Sequence, residues 1–156
     1  MQPEELEEQI EIAVPPAQVW ELVGDVRRIP EWSPQVTSTR LREGFDRIEV
    51  GAEFTNRNAE GELAWTTHGR IVRHEPEQCL AFRIEENWLV WSFELTPTPA
   101  GTLLTERRES PEGISQLSID FADKYLGGEA AFTDLMRQGV RETLARIKEA
   151  AEGTAP

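Results

Sequence analysis

Residues 88–109 read WLVWSFELTPTPAGTLLTERRE. Trp91, Phe93 and Leu95 alternate on one side of Pro97-Thr98-Pro99-Ala100-Gly101, and Thr102, Leu104, Glu106 and Arg108 alternate on the other. A period of two on both sides of a proline- and glycine-rich turn is a β-hairpin, with strands over Trp88–Leu95 and Thr102–Glu109. The same pattern runs upstream through Val36–Leu41, Ala52–Asn58, Leu63–Arg73 and Leu80–Ile84. Turn signals separate these strands: Glu43-Gly44, Glu60-Gly61, Glu75-Pro76 and Glu86-Asn87. Connections this short make an antiparallel meander, because a parallel return needs a crossover of about a dozen residues.

The flanks differ. Leu6, Ile10 and Ile12 alternate with acids in a first strand that Pro15 and Pro16 end. Proline suits the first turn of a helix, and Val19, Trp20 and Val23 then follow at helical spacing. Gly24-Asp25 closes that short helix. Val26 to Trp32 reads as a second one, with the Asp25 carboxylate as its cap. Beyond Gly113 the period is helical again. Leu117, Phe121 and Tyr125 precede Gly127-Gly128, and Met136, Val140, Leu144 and Ile147 follow it, with Arg137, Arg141, Arg146 and Lys148 on the wet side. The expected fold class is α+β: a seven-stranded curved antiparallel sheet wrapped around a long C-terminal helix, with two short helices after the first strand.

The 156 residues suit a single domain over 1–156, with 153–156 frayed. Five Trp and six Phe supply large units of burial. A net charge of −13 repels phosphate backbones, so no nucleic-acid partner is expected. Much of the acid is local, with Glu4, Glu5, Glu7, Glu8 and Glu11 on a solvated first strand. No run approaches the ~18 apolar residues of a membrane span, and the opening MQPEELEE is no signal peptide, so a soluble, cytoplasmic protein is expected. Cys79 is alone, which excludes an intramolecular disulfide and reads as a small buried hydrophobe. His68 and His74 lie about 20 Å apart along a strand, so they cannot share a metal, and His68 points outward. No metal or cofactor is expected, and no short catalytic motif is present.

Four stretches together carry a family likeness: VPPAQVWELVGDVRRIPEWSPQV (14–36), HEPEQCLAFRI (74–84), WSFELTPTPAGTLLTERRE (91–109), and YLGG followed by MRQGVRETLARIKEAAE (125–152). The chain resembles the SRPBCC superfamily, the START and Bet v 1-like helix-grip proteins, and especially its bacterial polyketide cyclase/dehydrase-like members. The resemblance implies a deep apolar cavity between the concave sheet and the long helix. It implies a hydrophobic small-molecule ligand (a lipid, a polyketide or another ring-containing molecule); a monomer or weak homodimer is expected. One alternative is an aromatase/cyclase-like enzyme, with Glu106, Arg108 and Tyr125 as candidate groups. A second is a protein-binding module of the chaperone-activator type.

Alternation nominates the cavity wall. Trp65 and Thr67 share a face with Gly69 and Ile71, Phe82 with Leu80 and Ile84, and Phe93 with Trp91; Trp88 stands near the start of that last strand. Tyr125 and Phe132 come from the helical region. Aromatic walls with few polar groups are how small-molecule sites are built, typically at about 300–1,000 Å³, and a cavity below ~100 Å³ would exclude this reading. Glu106 and Arg108, facing inward, would pair with each other; at the rim they would sit in water. Ile114–Leu126 is expected to lie over the mouth as a lid, hinged at Gly127-Gly128, with Glu129–Ala151 as the gripping helix. Alanine at both glycines should stiffen the hinge with the melting temperature equal or higher.

Overall fold

A computed structural model describes residues 5–153. Glu4 and the last three residues of the end expected to fray lie outside the described residues, while Gly153 closes the final helix. The order is β1 (Leu6–Ile12), α1 (Pro16–Val23), a 3₁₀ turn (Val26–Arg28), α2 (Ile29–Trp32) and β2 (Val36–Leu41). Then come β3 (Glu53–Glu60), β4 (Leu63–Glu75), β5 (Cys79–Ile84), β6 (Val90–Thr98) and β7 (Gly101–Glu109). Two helices follow, α3 (Gln116–Tyr125) and α4 (Glu129–Gly153). The seven strands form one antiparallel sheet in the order β1-β7-β6-β5-β4-β3-β2, so the meander closes on the N-terminal strand.

The register sends the apolar alternation inward. Leu104 opposes Ile10 on β1 and Leu95 on β6, while Phe82 opposes Trp91 on β6 and Ile71 on β4. Gly69 on β4 is required by packing: a Cβ there would stand 2.4 Å from Cζ of the fully buried Phe54. The Asp25 carboxylate accepts from the Arg27 backbone N–H at 2.9 Å and so starts the turn that leads into α2.

The core divides into two clusters. One joins Val140, Leu144 and Ile147 of α4 to Ile12, Leu104, Leu95 and Phe93. The other, made of Ala52, Phe54, Ile71, Leu80, Phe82 and Ile84, lies within the curl of β3–β5 and under Val26. Trp20 and Trp91 touch both. A helix is a straight rod and the sheet is concave, so the C-terminal half of α4 fills one end. The space left between the clusters positions the site. Each fully buried Leu or Ile of the first cluster contributes about 1.5–3 kcal/mol by leaving water.

The glycine pair between α3 and α4 departs from the sequence-based expectation. Gly127 and Gly128 have φ of 80° and 98°, a region that side chains rarely enter. The pair is a left-handed corner between two helices, and alanine there strains the backbone. Replacing both by alanine is therefore expected to lower the melting temperature by about 4 °C or more, at roughly 1 kcal/mol or more per position. Thermal unfolding checks this; an equal or higher melting temperature would contradict it.

Candidate functional site

Between the concave face and α4 lies a cavity of about 140 Å³. Trp65 and Thr67 enter from β4, Phe82 from β5, Trp91 and Phe93 from β6, and Phe132 from α4. Glu106 and Arg108 enter from β7. They are the only charged side chains on its wall among the described residues, and both are buried, at 7% and 1% exposure. The volume exceeds the ~100 Å³ floor but falls short of the roughly 300–1,000 Å³ of drug-sized ligand sites. It is close to the ~150 Å³ that holds one benzene. As it stands, the cavity fits about one ring, and a larger guest requires its walls to move.

Two candidates are placed elsewhere. Trp88 adopts φ 69° in the turn before β6 and is 39% exposed. The Asn87 side chain accepts the Leu89 N–H at 2.9 Å, and Leu89, 1% exposed, takes the wall position instead. Tyr125 is 52% exposed at the end of α3, packed on Phe121 with Lys124 Nζ 5.2 Å above its ring, so its hydroxyl does not serve the cavity. The apolar stripe of α3 does not face the protein as a whole either: Leu117 is 67% exposed and only Ala122 is buried. Phe121 is the contact that matters, with its ring 5.6 Å from that of Trp65 at the cavity wall. The start of α3 is held by the β5–β6 turn, where the Ser115 hydroxyl donates to the Glu86 carbonyl and the Ser115 N–H to the Asn87 carbonyl.

Glu106 and Arg108 face inward without pairing with each other. Arg108 reaches α4, where Nη2 donates to the Thr133 hydroxyl at 3.2 Å. Glu106 Oε1 has no hydrogen-bond partner, and burial pushes its carboxyl up from 4.5 to about 8. At neutral pH it is mostly a neutral acid able to donate a hydrogen bond into the cavity.

The sequence reading also missed a polar shelf. Asn56 and Asn58 on β3 are buried and line the cavity, yet TNRNA carries their alternation beside the buried Phe54. The Thr39 hydroxyl donates to Asn56 Oδ1 at 2.7 Å, and Asn58 Nδ2 donates to Thr67 Oγ1 at 3.1 Å. Gln35, just before β2, also lines the cavity, and its Nε2 is sealed from solvent without a partner. Gly139 on α4 completes the wall; a Cβ there would meet only Pro34 Cγ, at 3.8 Å. A glycine inside a helical pattern was the signal for it.

Away from the cavity, on the outer face of the sheet, His68 Nδ1 lies 2.6 Å from Glu86 Oε2. With Glu85, these residues bring one ligand atom each within 4.8 Å of one another, the one grouping among the described residues able to hold a metal ion. It does not reach the cavity wall.

A profile of the family described as polyketide cyclase/dehydrase and lipid transport matches residues 3–152. No curated protein matches the chain. Among solved structures, the chain is similar to a polyketide-cyclase-like protein of Corynebacterium glutamicum, with 29% identity over 97% of this chain and 95% of that one and a TM-score of 0.61. It is similar in fold to the di-domain ARO/CYC StfQ of the steffimycin biosynthetic pathway, at 17% identity and a TM-score of 0.76, covering 99% of this chain but 52% of that one. A second di-domain ARO/CYC, BexL, gives 18% identity and a TM-score of 0.70 over 97% of this chain and 50% of that one. The chain thus spans about half of each di-domain protein.

Proposed function

Since the chain belongs to the polyketide cyclase/dehydrase and lipid transport family, we propose that it binds a hydrophobic, ring-containing small molecule in the cavity between its sheet and α4. The observation that carries this reading is the wall itself. Trp65, Phe82, Trp91, Phe93 and Phe132 surround a space that the core leaves open. A fold optimised only for stability would close such a space, because lost packing contacts are costly. Native mass spectrometry of gently purified protein is expected to show one co-purifying molecule per chain, or titration with an aromatic fluorophore to show saturable uptake. A protein that carries nothing and takes up no probe would overturn the reading.

Entry in this reading is through α3. Phe121, its ring tilted against that of Trp65, is the latch, and the left-handed glycine corner is where α3 pivots. Hydrogen exchange is expected to be faster in 116–125 than in 135–147, and to slow in 116–125 when a probe binds. Equal protection in both segments, unchanged by the probe, would show that α3 is no lid.

Glu106 favours a second reading, a cyclase-like enzyme acting on a poly-β-ketone chain. A carboxyl at about 8 can give or take a proton near neutrality, and a closed cavity holds reacting carbons in register. Altered cyclisation products with the wild type but not with Glu106→Gln would support catalysis. The same products with and without the protein would leave binding alone.

A further inference from the structure

The cavity has polar groups at two separated places, and neither set is consumed by the fold. On β3, Asn56 Oδ1 accepts from Thr39, which leaves the Asn56 amide N–H groups as donors. Asn58 Nδ2 donates to Thr67 Oγ1 and to the Trp65 carbonyl, at 3.1 and 3.3 Å, which leaves its Oδ1 as an acceptor. Gln35 Nε2, beside them at the entry to β2, has no partner at all. The second pole is on β7, where Glu106 Oε1 is buried and unpartnered. Strands β3 and β7 are separated by β4, β5 and β6, so the two poles stand on opposite flanks of the curl. Between them the wall is mainly apolar, with Phe82, Trp91 and Met136, and the Thr67 hydroxyl on β4 is already engaged by Asn58.

A buried polar group without a partner costs free energy, and a guest that supplies the partner recovers it. An apolar guest leaves both poles unsatisfied, and an acyl chain with one polar head leaves one. From this we infer that the ligand is a flat ring system bearing hydroxyl or carbonyl oxygens on two opposite edges, one meeting the Gln35–Asn56–Asn58 shelf and the other meeting Glu106. The inference rests on the proposed ligand-binding function and narrows it. The shelf offers both donors and an acceptor, so it takes either oxygen type. Glu106 selects a hydroxyl or carbonyl according to its own protonation.

The test is a titration of the full chain with naphthalene, a naphthol, the naphthalenediol with hydroxyls on opposite rings, and decanoate. The diol is expected to bind about 10–100-fold more tightly than naphthalene, with the naphthol between them. The dimethyl ether of the diol, read on the wild type, should lose much of that gain. Glu106→Met, and separately Asn56→Leu with Thr39→Val, should each bring the diol down to the affinity of the naphthol. Saturable but equal binding of naphthalene and the diol overturns this inference and leaves the ligand-binding reading intact. Decanoate binding more tightly than every ring probe likewise overturns the inference alone. Saturable binding by none of the four takes down the proposed function with it.

Discussion

Between pH 5 and pH 7 the wild-type protein is expected to lose about 2.5 kcal/mol of stability through Glu106 alone, a loss that Glu106→Gln should abolish. The carboxyl titrates at about 8 in the folded protein because burial disfavours its charged form, against an ordinary value of 4.5. The folded state therefore holds a proton that the unfolded chain has released throughout that interval. With more protons bound folded than unfolded, stability falls as pH rises, at up to about 1.4 kcal/mol per unit. The contribution is fully present below pH 4.5 and is lost as pH rises through about 8. Arg108 is the only other charged group on the cavity wall among the described residues. For a chain of this length the loss corresponds to a melting temperature lower by roughly 5–10 °C. Glutamine keeps the shape and removes the proton, so the difference between wild type and variant, read at pH 5, 6, 7 and 8, isolates Glu106. Parallel pH profiles for the two proteins would show that the carboxyl is not held neutral.

Arg108→Ala should lower the melting temperature by about 6–12 °C, from a loss of roughly 3 kcal/mol or more. The side chain is 1% exposed, lies opposite Trp91 in the β6–β7 pairing, and spans from β7 to Thr133 on α4. Truncation removes both the aliphatic stem and the fork, leaving a hole between sheet and helix and a hydroxyl without its donor. Thr133→Val removes only the hydrogen bond and should cost about 1 kcal/mol. Thermal unfolding of both variants separates the Arg108–Thr133 hydrogen bond from the rest of what the Arg108 side chain contributes. A melting temperature for Arg108→Ala within 2 °C of wild type would contradict the account of this position.

What was legible in the sequence is what repeats. Alternation over Leu80–Ile84 placed Phe82 on the concave face, and alternation over Thr102–Arg108 put Glu106 and Arg108 on the same side as Leu104 while leaving open whether they face inward, because a pleated strand has only two sides. The helix period did the same for Val140, Leu144 and Ile147. What failed was conformation at single residues. Trp88 sits at a left-handed position in a turn, where no period applies, and Leu89 inherits its place. Tyr125 belongs to a helix that touches the body through Phe121 and not along its stripe. The glycine pair reads as a flexible interruption until its φ values show a corner that only glycine accepts comfortably. Asn56 and Asn58 were passed over because buried amides look like surface residues unless the strand's register is known. Glu106 and Arg108 lie two residues apart on one face, which suggested a pair; the long Arg108 side chain instead reaches Thr133 on the opposite helix.

The most direct measurement is uptake of an aromatic probe by the wild type and by Gly139→Leu. Gly139 lines the cavity from α4, and a Cβ there meets only Pro34 Cγ, at 3.8 Å, so leucine extends from an unobstructed Cβ toward the space a ligand would take. Leucine also suits a helix interior better than glycine by about 1 kcal/mol, so the variant should fold at least as well as wild type. Saturable binding of one probe per chain is expected for the wild type, and binding weakened at least about tenfold in Gly139→Leu with an equal or higher melting temperature. Equal binding by the two proteins would place the probe elsewhere and contradict the assignment of this cavity as the ligand site.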